Sequence, residues 1–137
     1  IGTCTGASLL MWKEYFKNGK ISGIDVQNTT LSQYLRDDIE YHFFDAYNKE
    51  LIENLGSFDI IIDDGPHTLT SQLIFIDLYS KKLNPNGIMI IEDIDTTENI
   101  QILKDKFEKV FNKEPQYIDN RQSTGLNNEV LMWIWNS

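Results

Sequence analysis

Cysteine is almost absent from this 137-residue chain: Cys4 stands alone, so no disulfide can close within it. Basic residues are scarce too, with 12 Lys and Arg against 21 Asp and Glu and a net charge of −9. A surface that acidic repels phosphate backbones and anionic lipids, which argues against nucleic acid or a membrane surface as partner. No run of about 18 apolar residues occurs, so a membrane-spanning helix is excluded. Proline is confined to Pro66, Pro85 and Pro115, and neither repeats nor biased linkers divide the chain. One domain is therefore expected, in a reducing, cytoplasmic setting. An initiator Met is lacking as well. Ile1-Gly2 reads as the end of a strand entering a loop, so the strand itself is expected upstream and the chain to be an N-terminally truncated piece.

What remains is apolar enough, at 41% by the AVILMFWYC count, to build a full core. Apolar runs of strand length alternate with longer segments of helical period, the pattern of an α/β fold with a mostly parallel sheet. After the Gly2–Gly6 loop, Leu9, Leu10, Trp12, Tyr15 and Phe16 predict a helix stopping near Asn18-Gly19. Strands are expected at 21–26, at 39–44, at 58–62 and at 88–91, the last two buried on both faces. Thr30 or Ser32 is expected to cap a weak helix through Leu35. Further helices are expected at 49–55, at 70–83 and, capped by Thr96 or Thr97, to about Asn112, with Ile100, Leu103, Phe107, Val110 and Phe111 inward. Asn84-Pro-Asn-Gly87 has the composition of a turn. In the tail, strands at 116–119 and 129–135 flank a polar loop containing Gly125. With no helix between them, an antiparallel pair is favoured. Trp12, Trp133 and Trp135 are expected to pack, His42 to be structural, and Asp37, Asp38 and Glu40 to form a solvated turn.

Chemistry concentrates at the predicted strand ends, where ligands bind in open α/β sheets. Gly2-Thr3-Cys4-Thr5-Gly6-Ala7-Ser8 joins a presumed strand to a helix, and its glycines permit close backbone approach to a nucleotide. The spacing is G-x-x-x-G, without the third Gly of nicotinamide dehydrogenases. Asp25 follows at the end of the next strand, where a carboxylate can accept ribose hydroxyls, and Asp45 ends the strand after that. Two further strands end in Asp63-Asp64 and Glu92-Asp93. Carboxylates gathered at one edge repel unless a cation neutralises them, and oxygen donors suit Mg²⁺ rather than zinc. His67, three residues past Asp64, could then take a proton from a hydroxyl. The bland alternatives are tight turns, helix caps and a surface histidine.

These residues match a known pattern. Ile1-Gly-Thr-Cys-Thr-Gly-Ala-Ser-Leu9, Gly-Ile-Asp25, Phe-Asp-Ile-Ile-Ile-Asp-Asp-Gly-Pro-His67 and Pro-Asn-Gly-Ile-Met-Ile-Ile-Glu-Asp93 resemble class I S-adenosylmethionine-dependent methyltransferases. Within that class the Asp-Asp-Gly-x-His element resembles the macrocin and mycinamicin sugar O-methyltransferases, with Pro66 where Ser is expected. The resemblance covers residues 1 to about 95. It implies a Rossmann-like sheet of seven strands in order 3-2-1-4-5-7-6, the seventh antiparallel, and residues 1–137 as one such domain with its first strand largely missing.

The resemblance also implies roles. Gly2 and Gly6 would shape the loop around the methionine part of S-adenosyl-L-methionine, with Thr3 and Ser8 as further cofactor-binding residues, Asp25 would bind its ribose, and Asp45 with Ala46 would face adenine. Asp63 completes the candidate cofactor-binding set. Asp64, Glu92 and Asp93 would hold Mg²⁺, and His67 would be the general base that readies a hydroxyl of a sugar or glycosylated small molecule for methylation. A metal-independent methyltransferase and a non-catalytic cofactor-binding domain are the competing readings, and a homo-oligomer stays open.

Overall fold

Alternating strand and helix patterns fold as the periodicity predicts, in a computed structural model that describes residues 1–126 and 129–137. In chain order the elements are α1 (Ala7–Tyr15), β1 (Ile21–Asp25), β2 (Ile39–Phe43), α2 (Lys49–Glu53), β3 (Phe58–Asp63), α3 (Leu69–Tyr79), β4 (Leu83–Ile91), α4 (Thr97–Phe111), β5 (Gln116–Asp119), α5 (Arg121–Thr124) and β6 (Val130–Trp135). Two sheets result. β1 and β2 pair in parallel, and a four-stranded sheet runs β3-β4-β6-β5. Within it β3 and β4 are parallel, whereas β6 is antiparallel to both β4 and β5, as the missing crossover requires.

Ile1 and Gly2 tie the two sheets together. The Ile1 amine donates to the Ile62 carbonyl at 2.8 Å and the Asp64 N–H donates to the Ile1 carbonyl at 3.3 Å, a parallel bridge onto the end of β3. On the other side Gly2 N–H donates to the Ile24 carbonyl of β1 at 3.0 Å. Among the described residues there are thus six strands in two sheets linked through Ile1 and Gly2, which stand where the resemblance implied a largely missing first strand.

The core lies between the four-stranded sheet and the helices α3 and α4. Phe75, Ile76 and Tyr79 of α3, Leu103 and Phe107 of α4, Met89 and Ile91 of β4 and Met132 and Ile134 of β6 are all buried in it. Side-chain caps set both helices: Thr68 accepts from Ser71 N–H before α3, and Thr96 accepts from Asn99 N–H before α4. Asn112 closes α4 in the left-handed conformation, at φ 53°.

Several sequence expectations are corrected. The 84–87 segment, expected as a turn, falls within β4 but bulges out of its pairing with β3, the register passing from Leu83 to Ile88 with Asn86 left-handed at φ 64°, and Asn136 satisfies it from beyond β6. Asn86 N–H donates to the Asn136 carbonyl, Asn136 N–H to the Gly87 carbonyl, and the Asn136 side chain to the carbonyls of Leu83 and Asn84. Neither β3 nor β4 is equally buried on both faces: Ile61 and Asp63 face the core, whereas Ile60 is 39% exposed and Ile88 and Ile90 are half-buried.

Only one 3₁₀ turn, Ser32–Tyr34, stands where a capped helix was expected, and neither Thr30 nor Ser32 caps it. The helix expected to reach Leu83 ends at Tyr79 and passes through a 3₁₀ turn, so Leu83 opens β4. Tyr15, Val110 and Trp135 point outward, since no described element packs them into the core. The polar tail loop contains α5, closed by Gly125 at φ 73°, while its residues 127–128 lie outside the described residues.

Candidate active site

The C-terminal ends of β1, β3 and β4 converge on the loop that precedes α1. Three of its residues, Gly2, Cys4 and Gly6, have positive φ, so the backbone coils tightly before the helix. Gly2 is required twice over. Its φ is +73°, and a Cβ there would stand 2.0 Å from the Asp64 carbonyl oxygen. Gly6, at φ +87°, packs against the Thr30 methyl.

Asp25 closes this loop. Its Oδ2 accepts from Cys4 N–H at 2.8 Å and its Oδ1 from Gln27 N–H at 3.1 Å. Each oxygen retains acceptor capacity, since a carboxylate offers about four lone-pair sites. Thr3 is buried beneath the loop and Ser8 is exposed on the first turn of α1. Asp45 turns the chain after β2 by accepting from Tyr47 N–H, and Ala46 is buried, its carbonyl accepting from the Tyr79 hydroxyl.

Asp63 differs from its neighbours. Its side chain is buried, and Oδ1 accepts from the Tyr47 hydroxyl at 2.6 Å. Burial raises its pKa above the aspartate range, opposed by the Tyr47 bond, the Ile1 amine and the Gly65 N–H. Burial and the same carboxylate raise the Tyr47 phenol strongly, so Tyr47 stays a donor.

Asp64, His67 and Asp93 form the one group able to offer ligand atoms within 4.8 Å of one another among the described residues. His67 Nε2 lies 4.0 Å from Asp64 Oδ1 and 3.8 Å from Asp93 Oδ2. Two of the three, His67 and Asp93, have positive φ although neither is glycine, a backbone strain that gathers where a site over-determines its residues. Burial raises the Asp64 pKa, and Asp93 repels its charge while His67 offsets part of the effect. Burial also raises Glu92, with repulsion from Asp64 and Asp93 adding to it. Glu92 lies beside this group rather than within it. His67 Nδ1 is buried and unpartnered.

Two residues of the site carried no motif. Tyr47 has no signal beyond standing two positions after Asp45. Gln72 could have been found, since it shares the helical spacing of Phe75, Ile76 and Tyr79 and is the polar member of that stripe. Its Nε2 donates to the Glu92 carbonyl at 3.3 Å.

The chain has relatives among known proteins. Residues 1–94 match the family model of a methyltransferase domain. A tetracenomycin-C rhamnosyl 2'-O-methyltransferase from Streptomyces olivaceus is 31% identical over 96 residues, covering 67% of this chain and 25% of that protein. The MycE methyltransferase of the mycinamycin biosynthetic pathway, solved in complex with Mg, SAH and mycinamycin VI, superposes with a TM-score of 0.56. It is 31% identical over 63% of this chain and 23% of its own. A methyltransferase from Pyrococcus furiosus shares the fold across 100% of this chain and 73% of its own, at TM-score 0.75 and 16% identity. The chain spans about a quarter of the length of the curated relatives it matches.

Proposed function

The chain belongs to the methyltransferase-domain family, and on that premise we propose that it forms the cofactor- and metal-binding part of an O-methyltransferase acting on a hydroxyl of a sugar-bearing small molecule. One observation carries the reading. Gly2 seats the cofactor loop directly on the Asp64 carbonyl, so the loop and the carboxylate cluster share one edge of the molecule.

The residues fit both groups. The Gly2–Gly6 backbone, with Thr3 and Ser8, would surround the methionine part of S-adenosylmethionine. Asp25 would accept the ribose hydroxyls with its free lone pairs, and Asp45 and Ala46 would flank the adenine. Asp63, the remaining candidate for the cofactor, is buried with Oδ1 held by the Tyr47 hydroxyl, which leaves its other oxygen for that role. Asp64 and Asp93, with Glu92 beside them, would hold Mg²⁺: hard oxygen donors whose mutual repulsion a cation relieves. The MycE relative is a complex with Mg and SAH.

Once bound, S-adenosylmethionine supplies an electrophilic methyl group and Mg²⁺ lowers the pKa of a neighbouring hydroxyl. His67 would receive that hydroxyl's proton at Nε2, the ring nitrogen that faces Asp64 and Asp93. The protein's share is positioning and a fixed electrostatic environment.

Calorimetric titration of S-adenosylhomocysteine and of Mg²⁺ tests the reading. Cofactor product should bind with Mg²⁺ or with EDTA, and Mg²⁺ binding should disappear in Asp64→Ala. No binding of either ligand overturns it. Where a complete enzyme is assayed, activity that survives excess EDTA selects the metal-independent alternative.

A further inference from the structure

We infer that Gln72 is a positioning residue for the carboxylate cluster: its buried amide holds the Glu92–Asp93 corner and so sets where Asp93 stands relative to Asp64 and His67. This rests on the metal reading proposed above.

The helical period places Gln72 on the apolar face of α3. Phe75, Ile76 and Tyr79 follow at three, four and seven residues, and all four side chains are 1% exposed or less. A glutamine there is expensive. Its Nε2 makes one long bond, 3.3 Å to the Glu92 carbonyl, and its Oε1 has no partner. The orientation follows from chemistry, because a carbonyl only accepts and the NH₂ must face it. An apolar side chain of equal length would avoid the desolvation of that amide. Core stability therefore does not explain this residue.

The backbone it grips does. Asp93 has φ 55°, in the left-handed region that few non-glycine residues occupy although aspartate enters it more readily than most, so the bonds on either side of it bear on where its side chain points. Three bonds flank it. Glu92 N–H donates to the Asp63 carbonyl at 2.9 Å, Ile94 N–H donates to the Val130 carbonyl at 3.2 Å, and the Glu92 carbonyl accepts from Gln72. The first two are backbone to backbone. Gln72 supplies the third, which a side-chain substitution can remove. Without it the Glu92–Asp93 peptide can relax, and the Asp93 carboxylate leaves its place 3.8 Å from His67.

The test uses the full chain and Mn²⁺ as the metal, read by the electron paramagnetic resonance of the free ion, with thermal unfolding in EDTA beside it. Gln72→Met should bind Mn²⁺ roughly tenfold more weakly than wild type, the lower end of what partners of ligating groups contribute. Its melting temperature in EDTA should equal or exceed that of wild type, and its affinity for S-adenosylhomocysteine should be unchanged. Gln72→Leu should repeat the result with a differently shaped side chain. Mn²⁺ affinity within twofold of wild type in both variants overturns the positioning role alone. Both variants melting well below wild type in EDTA overturns it too, because the amide is then structural. If wild type itself binds no Mn²⁺, the metal reading falls and takes this inference with it.

Discussion

Gly2 and Asp64 meet backbone to backbone: a Cβ on Gly2 would lie 2.0 Å from the Asp64 carbonyl oxygen. That approach joins the glycine loop to the carboxylate-bearing end of β3, and neither side can retreat without breaking the bridge between Ile1 and β3. Gly2→Ala should therefore both destabilise the fold and abolish S-adenosylhomocysteine binding. Gly125 provides the control, having the same φ of +73° with no atom of the described residues within 4 Å of an added Cβ. Gly125→Ala should cost only the left-handed backbone penalty, about 1–2 kcal/mol. Urea unfolding of both variants checks this, and equal losses would mean that the close approach contributes nothing.

The two ligand systems should respond separately to substitution. Asp25→Ala should weaken S-adenosylhomocysteine binding by roughly 10–100-fold, hydrogen bonds to a charged group being worth about 1.5–3 kcal/mol. His67→Ala should leave that affinity nearly unchanged and lower turnover in the complete enzyme by roughly 10²–10⁴-fold. Calorimetry and initial rates measure the two effects, and equal losses of cofactor affinity would contradict this division of roles.

Tyr47 is the partner that lets Asp63 stay buried. Tyr47→Phe should lower unfolding free energy by about 1–3 kcal/mol, the usual penalty for an unsatisfied buried polar group. Adding Asp63→Asn should recover part of the loss at neutral pH, where a neutral amide replaces a buried carboxylate that has lost its tyrosine donor. Denaturant titration of the single and double variants decides it, and additive losses would argue against the pairing.

Stability should also depend on pH with a defined sign. Asp64 and Glu92 have folded-state pKa values raised above the ordinary carboxylate range, by burial first, with repulsion from Asp93 adding for both and from Asp64 for Glu92, while His67 offsets part of the effect. The folded state thus binds their protons more tightly than the unfolded chain does. Their contribution is complete below the ordinary carboxylate range and is lost as pH rises through the raised values. In EDTA, wild type should lose stability relative to Asp64→Asn/Glu92→Gln as pH climbs from that range toward neutrality. Mg²⁺ should reverse the trend in wild type only. A stability difference independent of pH would place both carboxylates in water.

Much of this architecture was legible because it is written in local pattern. Period-two and period-3.6 hydrophobicity placed six strands and the long helices, and the Thr96-Thr97 pair, of which Thr96 is the cap, and Asn112 marked the ends of α4. The acids at 63–64 and 92–93 announced a charged edge because successive parallel strands must end on the same side. Less legible were features made by distant partners. Asn84–Gly87 has turn composition, yet Asn136 draws it into β4. Ile60 reads as core but is exposed, because burial depends on what packs on each face of β3.

Taken alone, the sequence determined the order of the elements, the antiparallel tail, the glycine loop and the residue types able to bind a nucleotide and a hard cation. Those properties depend on neighbours within a few positions of one another. Tertiary structure alone decided that Asp64, His67 and Asp93 form one group while Glu92 stands beside it. It also decided that Asp63 turns inward to Tyr47 and that Gln72 reaches the Glu92 carbonyl. These outcomes turn on distances of a few ångströms between segments 16 to 20 or more residues apart, set by how sheet and helices pack rather than by any local preference.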